Sequence, residues 1–136
     1  MDTAAALDFI RAHHHGVMAT TRADGRTAMS PIACAVDAAG RVVVSTRETA
    51  MKAKHLARDP HVAICVLNDG FYGEWAQVEG TAEVVHLPEA MDGLIEYYRL
   101  ISGEHPDWDD YRAAMERDQR VLVRITVTRA GPNVSG

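Results

Sequence analysis

The sequence predicts a mainly β fold: a closed, mostly antiparallel barrel of six strands with helices packed on its outside. Three observations favour this class. Six apolar or alternating segments have the length and composition of strands. Only one helical segment separates the first four of them. Short turns join the first three strands, and turns of that length connect antiparallel strands but are too short for a parallel crossover.

The composition is that of an ordinary globular protein. The 136 residues are 47% hydrophobic and 24% charged, so we expect one domain, 1–136, that buries roughly two thirds of its unfolded surface. Residues 130–136 are expected to form a mobile tail. The net charge of −5 disfavours nucleic acid as the main partner but allows a local basic pocket. No apolar run approaches the roughly 20 residues of a membrane span, and the first residues do not resemble a signal peptide. We therefore expect a cytoplasmic protein without a membrane partner.

Apolar residues at near-helical spacing over residues 3–13 predict a short amphipathic first helix. His13, His14 and His15 follow, and then Gly16. Three consecutive helical residues point in different directions, so they cannot all bind one metal ion. The C-terminus of a helix, stopped by Gly16, explains them better, and we expect no metal site.

The two cysteines, Cys34 and Cys65, each lie inside an apolar, strand-like run. A disulfide framework or a metal site needs more cysteines or a closer spacing. We therefore expect both to be small, buried hydrophobic side chains.

The first three strands are predicted over residues 17–21, 27–36 and 42–45. Asp24-Gly25 lies between the first two and is a strong hairpin signal. Ala39-Gly40 then turns the chain into the third strand, whose consecutive valines indicate a buried position.

The stretch after this third strand is the main candidate for a binding site. Thr49 is placed to be the N-cap of a helix over AMKAKHLA, and Asp59-Pro60 ends that helix. Free N–H groups at the helix start, the helix dipole and the nearby hydroxyl and cationic side chains would converge above the turn. These side chains are Ser45, Thr46, Arg47, Lys52 and Lys54. The pattern predicts a phosphate site, and a solvated basic helix in an ordinary connection explains it equally well.

The second half of the chain supplies three more strands and two helices. Residues 61–67 are apolar on both faces and predict a central strand, and residues 75–85 show the clearest alternation in the chain. Gly80 within that strand indicates a bulge or a close backbone approach. Helices are predicted from about residue 89 to 101 and after Pro106, followed by a last strand over 120–128. Arg120 could reach an anionic ligand or be solvated.

Four segments, taken in order, resemble the split-barrel flavin-binding superfamily typified by pyridoxamine 5′-phosphate oxidase. They are VMATTRADGRTAMSP, VVVSTRETAMKAKHLARDP, WAQVEGTAEV and the helical insertion YYRLISGEHPDWDDYRAAMERDQRVLV. The last of these is most similar to the branch of small reductases that use the deazaflavin coenzyme F420 in place of FMN. The resemblance covers the chain from about Phe9 to Ile125.

The resemblance implies a six-stranded antiparallel split barrel with Greek-key topology that forms a homodimer, with two cofactor sites between the subunits. Lys52 matches the lysine of the S-x-K-x-x-N-L-x-x-D-P pattern and would bind the cofactor phosphate, and His55 departs from that pattern by replacing its asparagine. Ser45 and Thr46 would contact the ribityl-phosphate region, and Lys54 would be a second cation. The ring would be lined by Met29, Ser30 and Pro31. The partner subunit would contribute Trp75 and Gln77.

The implied activity is that of an oxidoreductase, in which reduced deazaflavin transfers a hydride from C5 to an unknown small organic acceptor. No Ser-His-Asp order, paired carboxylates or metal pattern indicates hydrolysis, and we name no catalytic acid or base. Two alternatives stay open. The chain could bind FMN and act as a flavin oxidase or reductase of the pyridoxamine phosphate oxidase type, or it could be a non-catalytic cofactor-binding protein.

Overall fold

The computed structural model describes residues 1–131, which form four helices and seven strands. In chain order they are α1 (Thr3–Ala12), β1 (His15–Thr21), β2 (Thr27–Ala33), β3 (Ala35–Val36), β4 (Val42–Arg47), α2 (Met51–Arg58), β5 (His61–Leu67), β6 (Trp75–Val85), α3 (Met91–Ser102), α4 (Trp108–Arg117) and β7 (Arg120–Ala130).

The strands form one antiparallel sheet in the order β2-β1-β5-β6-β7-β4-β3. The two edge strands, β2 and β3, are consecutive in sequence and are separated only by Cys34. Because one residue joins the two edges, the sheet must curl until they meet. The mainly β prediction with flanking helices is therefore confirmed.

The predicted count of six strands is wrong for these residues, because the structure divides the predicted second strand, 27–36, at Cys34. The first part of that segment pairs with β1 and the second part pairs with β4. The Cys34 N–H leaves both ladders and donates to the His14 carbonyl at 2.7 Å. One segment serves both edges of a curled sheet, and it changes partner at this residue.

Two hydrophobic clusters lie on opposite faces of the sheet. The first fills the inside of the curl and includes Phe9 and Ile10 from α1 and Leu56 from α2. The second lies between the outer face of β3, β4 and β7 and the helices α3 and α4. The valines of β4 alternate between them, since Val42 and Val44 belong to the first cluster and Val43 belongs to the second.

The start of α2 differs from the prediction that Thr49 is its N-cap. The N-cap is Ala50, which makes no side-chain capping bond. The Ala50 N–H donates to the Arg47 carbonyl at 3.0 Å, so Thr49 lies within a tight turn before the helix. The predicted end is confirmed: Asp59 is the C-cap, and its N–H donates to the His55 carbonyl at 2.8 Å.

Two glycines occupy positions that a larger residue would not fit, one because of its backbone conformation and one because of a close approach. Gly25 closes the predicted β1–β2 hairpin with a φ of 85°. At Gly80 the β6–β7 register shifts, and a Cβ atom there would lie 2.1 Å from the Thr126 carbonyl oxygen. The predicted bulge and the predicted close backbone approach therefore both occur at Gly80.

The last strand is longer than predicted. It ends at Ala130, and the Gly131 N–H donates to the Gln77 carbonyl at 2.9 Å. The first two residues of the predicted tail, 130–136, thus contact the sheet, and the rest of it lies outside the described residues.

Within residues 1–131, no helix combines the length and apolar character needed to cross a membrane.

Both cysteines are free thiols. Cys34 is buried, and this burial raises the pKa of its thiol to about 12. Cys65 is only half-buried, and desolvation also raises the pKa of its thiol. The predicted role as a small buried side chain therefore holds fully for Cys34 and partly for Cys65.

Candidate functional site

Lys52 and Ser30 form the direct contact that joins the start of α2 to strand β2. The Lys52 ammonium donates to the Ser30 hydroxyl at 3.3 Å. Lys52 lies in the first turn of α2, where backbone N–H groups have no partner within the helix. The arrangement places one cation, one hydroxyl and the positive end of the helix dipole together.

Thr46 lies on the same side of the sheet as Ser30. It follows Val42 and Val44 in the alternation of β4, so its buried side chain faces the inside of the curl. In β2, Ser30 also faces the inside of the curl, whereas Met29 and Pro31 on either side of it face outwards. The two strands lie beside each other without a ladder between them. We call this gap between β2 and β4 the split, and Lys52, Ser30 and Thr46 lie on its inner side.

Ser45 and Lys54 are not part of this inner group. Ser45 points to the opposite face of β4 from Thr46, towards the side covered by α3. Lys54 is exposed and lines a separate open groove of about 610 Å³ together with Arg22, Met51 and Arg58. The predicted phosphate contacts therefore divide between two faces of β4 and two sides of α2.

Met29, Pro31, Trp75 and Gln77 lie on the outer face of the sheet. The register aligns Pro31, Val17, Cys65 and Gln77 in one row across β2, β1, β5 and β6. Three strand spacings separate the two ends of that row, about 14 Å along the sheet. Within one protomer, the predicted ring contacts Met29 and Pro31 are therefore far from Trp75 and Gln77, which were predicted to come from the partner subunit.

The middle of the outer face of these four strands carries apolar side chains. Val17, Ala19, Ala63, Cys65 and Leu67 lie on it and are only half-buried. Met29 at its edge is 72% exposed. Apolar side chains grouped in the middle of an exposed sheet face are typical of a region that another protein covers.

The hydrogen bond between His55 and Thr20 was not predicted from the sequence. His55 Nδ1 lies 3.0 Å from the Thr20 hydroxyl, and the two residues are only 5% and 4% exposed. The bond attaches α2 to β1 and satisfies two buried polar groups. His55 could be singled out from the sequence because it replaces the asparagine of the family pattern. Nothing in the sequence, however, indicated its hydrogen-bond partner 35 residues away.

Arg120 lies on the outer face of β7, whereas its neighbour Val121 pairs with Thr46 on the inner side. Its Nε atom is buried without a hydrogen-bond partner. It lines a pocket of about 300 Å³ with Glu48, His86 and Glu116. Two carboxylates beside the guanidinium make this pocket a poor match for an anionic cofactor tail.

Within residues 1–131, no three His, Cys, Asp or Glu side chains lie close enough together to hold one ion. His13 is the C-cap of α1 and its ring packs on Phe9, with 4.3 Å between the ring centroids. His14 Nδ1 lies 2.8 Å from the Cys34 carbonyl, and His15 begins β1. The predicted helix end therefore accounts for His13 only. The prediction that Gly16 stops the helix is wrong, because β1 begins at His15 and Gly16 is its second residue.

A family model described as pyridoxamine 5′-phosphate oxidase matches residues 2–132 of this sequence, which is nearly its whole length. The chain belongs to the pyridoxamine 5′-phosphate oxidase family. The resemblance predicted from the four sequence segments is thereby confirmed at the level of the family.

Solved structures of similar fold agree with membership of the pyridoxamine 5′-phosphate oxidase family. A conserved hypothetical protein from Mycobacterium tuberculosis, Rv2991, is 28% identical with a TM-score of 0.78, over 96% of this chain and 82% of its own. An F420 reductase has a TM-score of 0.67 at 19% identity, covering 87% of this chain and 89% of its own. A pyridoxamine 5′-phosphate oxidase-like protein from Listeria innocua has a TM-score of 0.70 at 14% identity, over 98% of both chains. The last two likenesses concern the fold alone.

The side chains at the split fit the phosphate of a flavin-type cofactor. A phosphate needs a cation and several hydrogen-bond donors at close range. The ammonium of Lys52, the hydroxyls of Ser30 and Thr46 and the N-terminus of α2 provide these groups in this family member. Arg47, the last residue of β4, pairs with Arg120 and lies with Ser45 on the opposite face of the strand, so it does not belong to this inner group.

Proposed function

We propose that this protein is an oxidoreductase that binds coenzyme F420 through its phosphate. The observation that carries the proposal is the hydrogen bond from Lys52 to Ser30 at the start of α2. Lys52 holds the anionic phosphate, and the Ser30 hydroxyl, once Lys52 turns to the phosphate, is free to donate to it. When bound, the reduced deazaflavin supplies a hydride from C5 for an electron-poor organic acceptor.

The site is proposed to lie between two copies of the chain. In one protomer the outer residues of β2 and those of β6 are about 14 Å apart, too far for one ring system to contact both. A second copy packed on the apolar outer face would bring its own Trp75 and Gln77 to the Met29 and Pro31 side of the first. It would also cover Met29, which is 72% exposed in the single chain.

The proposed homodimer predicts that a charge at the centre of the outer face will separate the copies. Val17 lies in the middle of the row between Pro31 and Cys65. We expect the wild-type protein to be a dimer at micromolar concentration and Val17→Asp to be monomeric, because an unpaired carboxylate would be buried between the copies. Light scattering coupled to size exclusion measures both masses.

The matched control for this prediction is Leu100→Asp, which places the same charge at an exposed hydrophobic residue of α3. It should leave the dimer intact. A wild-type protein that is monomeric at tens of micromolar would contradict the shared site.

The choice of cofactor is tested by fluorescence titration of the protein with coenzyme F420 and with FMN, side by side. We expect saturable binding of F420 with a much weaker response to FMN. The reverse preference would assign the protein to an FMN-dependent oxidase or reductase, because the same phosphate contacts serve FMN. Binding of neither cofactor would overturn the proposal.

A non-catalytic role requires a separate measurement. With bound, reduced cofactor, the protein is mixed with a panel of electron-poor acceptors, and cofactor oxidation is followed by absorbance. An enzyme of the proposed class oxidises the cofactor faster than the free cofactor reacts with the same acceptor. Tight binding without any such acceleration would instead identify a cofactor-binding protein.

A further inference from the structure

Tyr97, on α3, reaches the split from the outer face of the sheet. Its hydroxyl donates a hydrogen bond to the Ala33 carbonyl of β2 at 2.9 Å. Burial raises the pKa of this hydroxyl, and the nearby Ser45 backbone N–H acts in the opposite direction. The hydroxyl is therefore bonded to β2 and lies beside the Ser45 amide of β4.

Beyond the junction at Cys34, β2 and β4 share no ladder. β3 pairs with β4 only through Ala35 with Val43 and Val36 with Val42. From Val44 onward, the ladder of β4 is with β7 on its other side. The Asp37 N–H donates to the Arg41 carbonyl next to this short ladder, so the N–H groups of Arg41, Val43 and Ser45, at alternate positions, all point to the β3 side of β4. The Ser45 N–H therefore points to the split, where a sheet edge leaves it without a strand partner. A tyrosine hydroxyl has one donor and two acceptor sites, which suits a bridge between a carbonyl and an N–H.

The bridged residues adjoin the proposed phosphate contacts on both strands. Ala33 is three residues after Ser30, which accepts from Lys52. Ser45 immediately precedes Thr46. The separation between β2 and β4 sets the separation between these two groups, and the Tyr97 hydroxyl fixes the separation between the strands. The side chain itself is held by packing, since it belongs with the hydrophobic cluster beneath α3 and α4.

We propose that Tyr97 is a positioning residue for the cofactor: it fixes the width of the split and thereby the distance from Lys52 and Ser30 to Thr46. The proposal rests on the proposed function, because it assigns the split to a phosphate-bearing cofactor. In this proposal α3 contributes to the site, although its Tyr97 reaches the strands from the outer face of the sheet. Loss of the hydroxyl would let the two strands move apart without removing any side chain from the inner group.

The test is Tyr97→Phe, which keeps the ring and removes the hydroxyl. We expect two results: hydrogen exchange of the Ser45 amide becomes about tenfold faster, and the affinity for the cofactor falls about fivefold or more, as expected for loss of one hydrogen bond. Amide exchange is followed by NMR and affinity by the fluorescence titration with F420 and FMN.

The matched control is Tyr111→Phe. Tyr111 is also a tyrosine of the helical segment whose hydroxyl donates to a carbonyl, that of Leu94, at 2.8 Å. This control loses a comparable hydrogen bond away from the split, so Ser45 exchange and cofactor affinity should stay close to wild type. Equal losses of affinity in the two variants would overturn the proposal, because both would then report a general loosening of the helices.

The outcomes separate this proposal from the proposed function. Wild-type affinity and wild-type Ser45 exchange in Tyr97→Phe would overturn the proposal and leave the function intact. If the wild-type protein binds neither cofactor, the function fails and the positioning role fails with it, whereas Ser45 exchange still shows whether Tyr97 joins the strands. If Tyr97→Phe does not fold while Tyr111→Phe does, the hydroxyl is needed for folding rather than positioning, and the proposal fails.

Discussion

Replacing Lys52 with alanine is expected to raise the dissociation constant of the cofactor about 10- to 150-fold, a loss of about 1.5–3 kcal/mol. This is the contribution typical of a hydrogen bond to a charged group, and Lys52 is the cation that the structure places against Ser30 at the inner side of the split. The fold should be unaffected, because alanine is the best helix former and Lys52 is only half-buried in the first turn of α2. Fluorescence titration and thermal unfolding measure the two effects.

The control for the Lys52 prediction is Lys54→Ala in the same helix. Lys54 faces the open groove with Arg22 and Arg58 instead of Ser30. Its loss removes the same charge two residues away, so a general effect of net charge would lower affinity in both variants. We expect at most a small change for Lys54→Ala. Unchanged affinity in Lys52→Ala would remove Lys52 from the phosphate site.

Replacing Gly80 with alanine is expected to lower the free energy of unfolding by about 3 kcal/mol. The added Cβ would lie 2.1 Å from the oxygen and 2.9 Å from the carbon of the Thr126 carbonyl. These are backbone atoms of β7, so no side chain can rotate away, and β6 and β7 must separate at the bulge. Urea unfolding measures the loss.

A second glycine separates the steric effect from the conformational one. Gly25 has a φ of 85°, and a Cβ there would meet no atom within 4 Å. Gly25→Ala should therefore cost only the left-handed backbone conformation, about 1 kcal/mol. If both variants lost the same stability, the close approach of β6 and β7 at Gly80 would not be the cause.

Local patterns in the sequence were sufficient to predict most elements of the fold. The alternation over residues 75–85 predicted strand β6 with its two faces, and Asp24-Gly25 predicted the β1–β2 hairpin. Both signals depend on neighbouring residues only. Alternation in β2 places Met29 and Pro31 on the face opposite Ser30, although all three were expected to line the ring.

The errors occurred where tertiary contacts override a local signal. Thr49 is a good N-cap residue, but the turn from Arg47 to Ala50 moves the start of the helix beyond it. Cys34 carries no turn signal, and the strand breaks there only because its two halves pair with opposite edges of the sheet. Neither the later start of the helix nor the break in the strand can be recognised from the adjacent residues.

The site itself depends on contacts between residues far apart in sequence. Lys52 and Ser30 were both named from the resemblance, but their contact was not predicted. The bonds of His55 to Thr20 and of Tyr97 to Ala33 join residues 35 and 64 positions apart. A single sequence contains no pairing information at that range, and the histidine and tyrosine look like ordinary members of their helices.

The position of β7 in the sheet has a consequence for synthesis on the ribosome. β7 lies between β6 and β4 and is the strand that connects them, although it follows both in sequence. While residues 120–130 remain in the exit tunnel, β4 lacks its long partner, and the inner apolar faces of β4 and β6 stay partly uncovered. The nascent chain must therefore complete its barrel after synthesis of this segment, and until then it offers unpaired strand edges of the kind that chaperones protect.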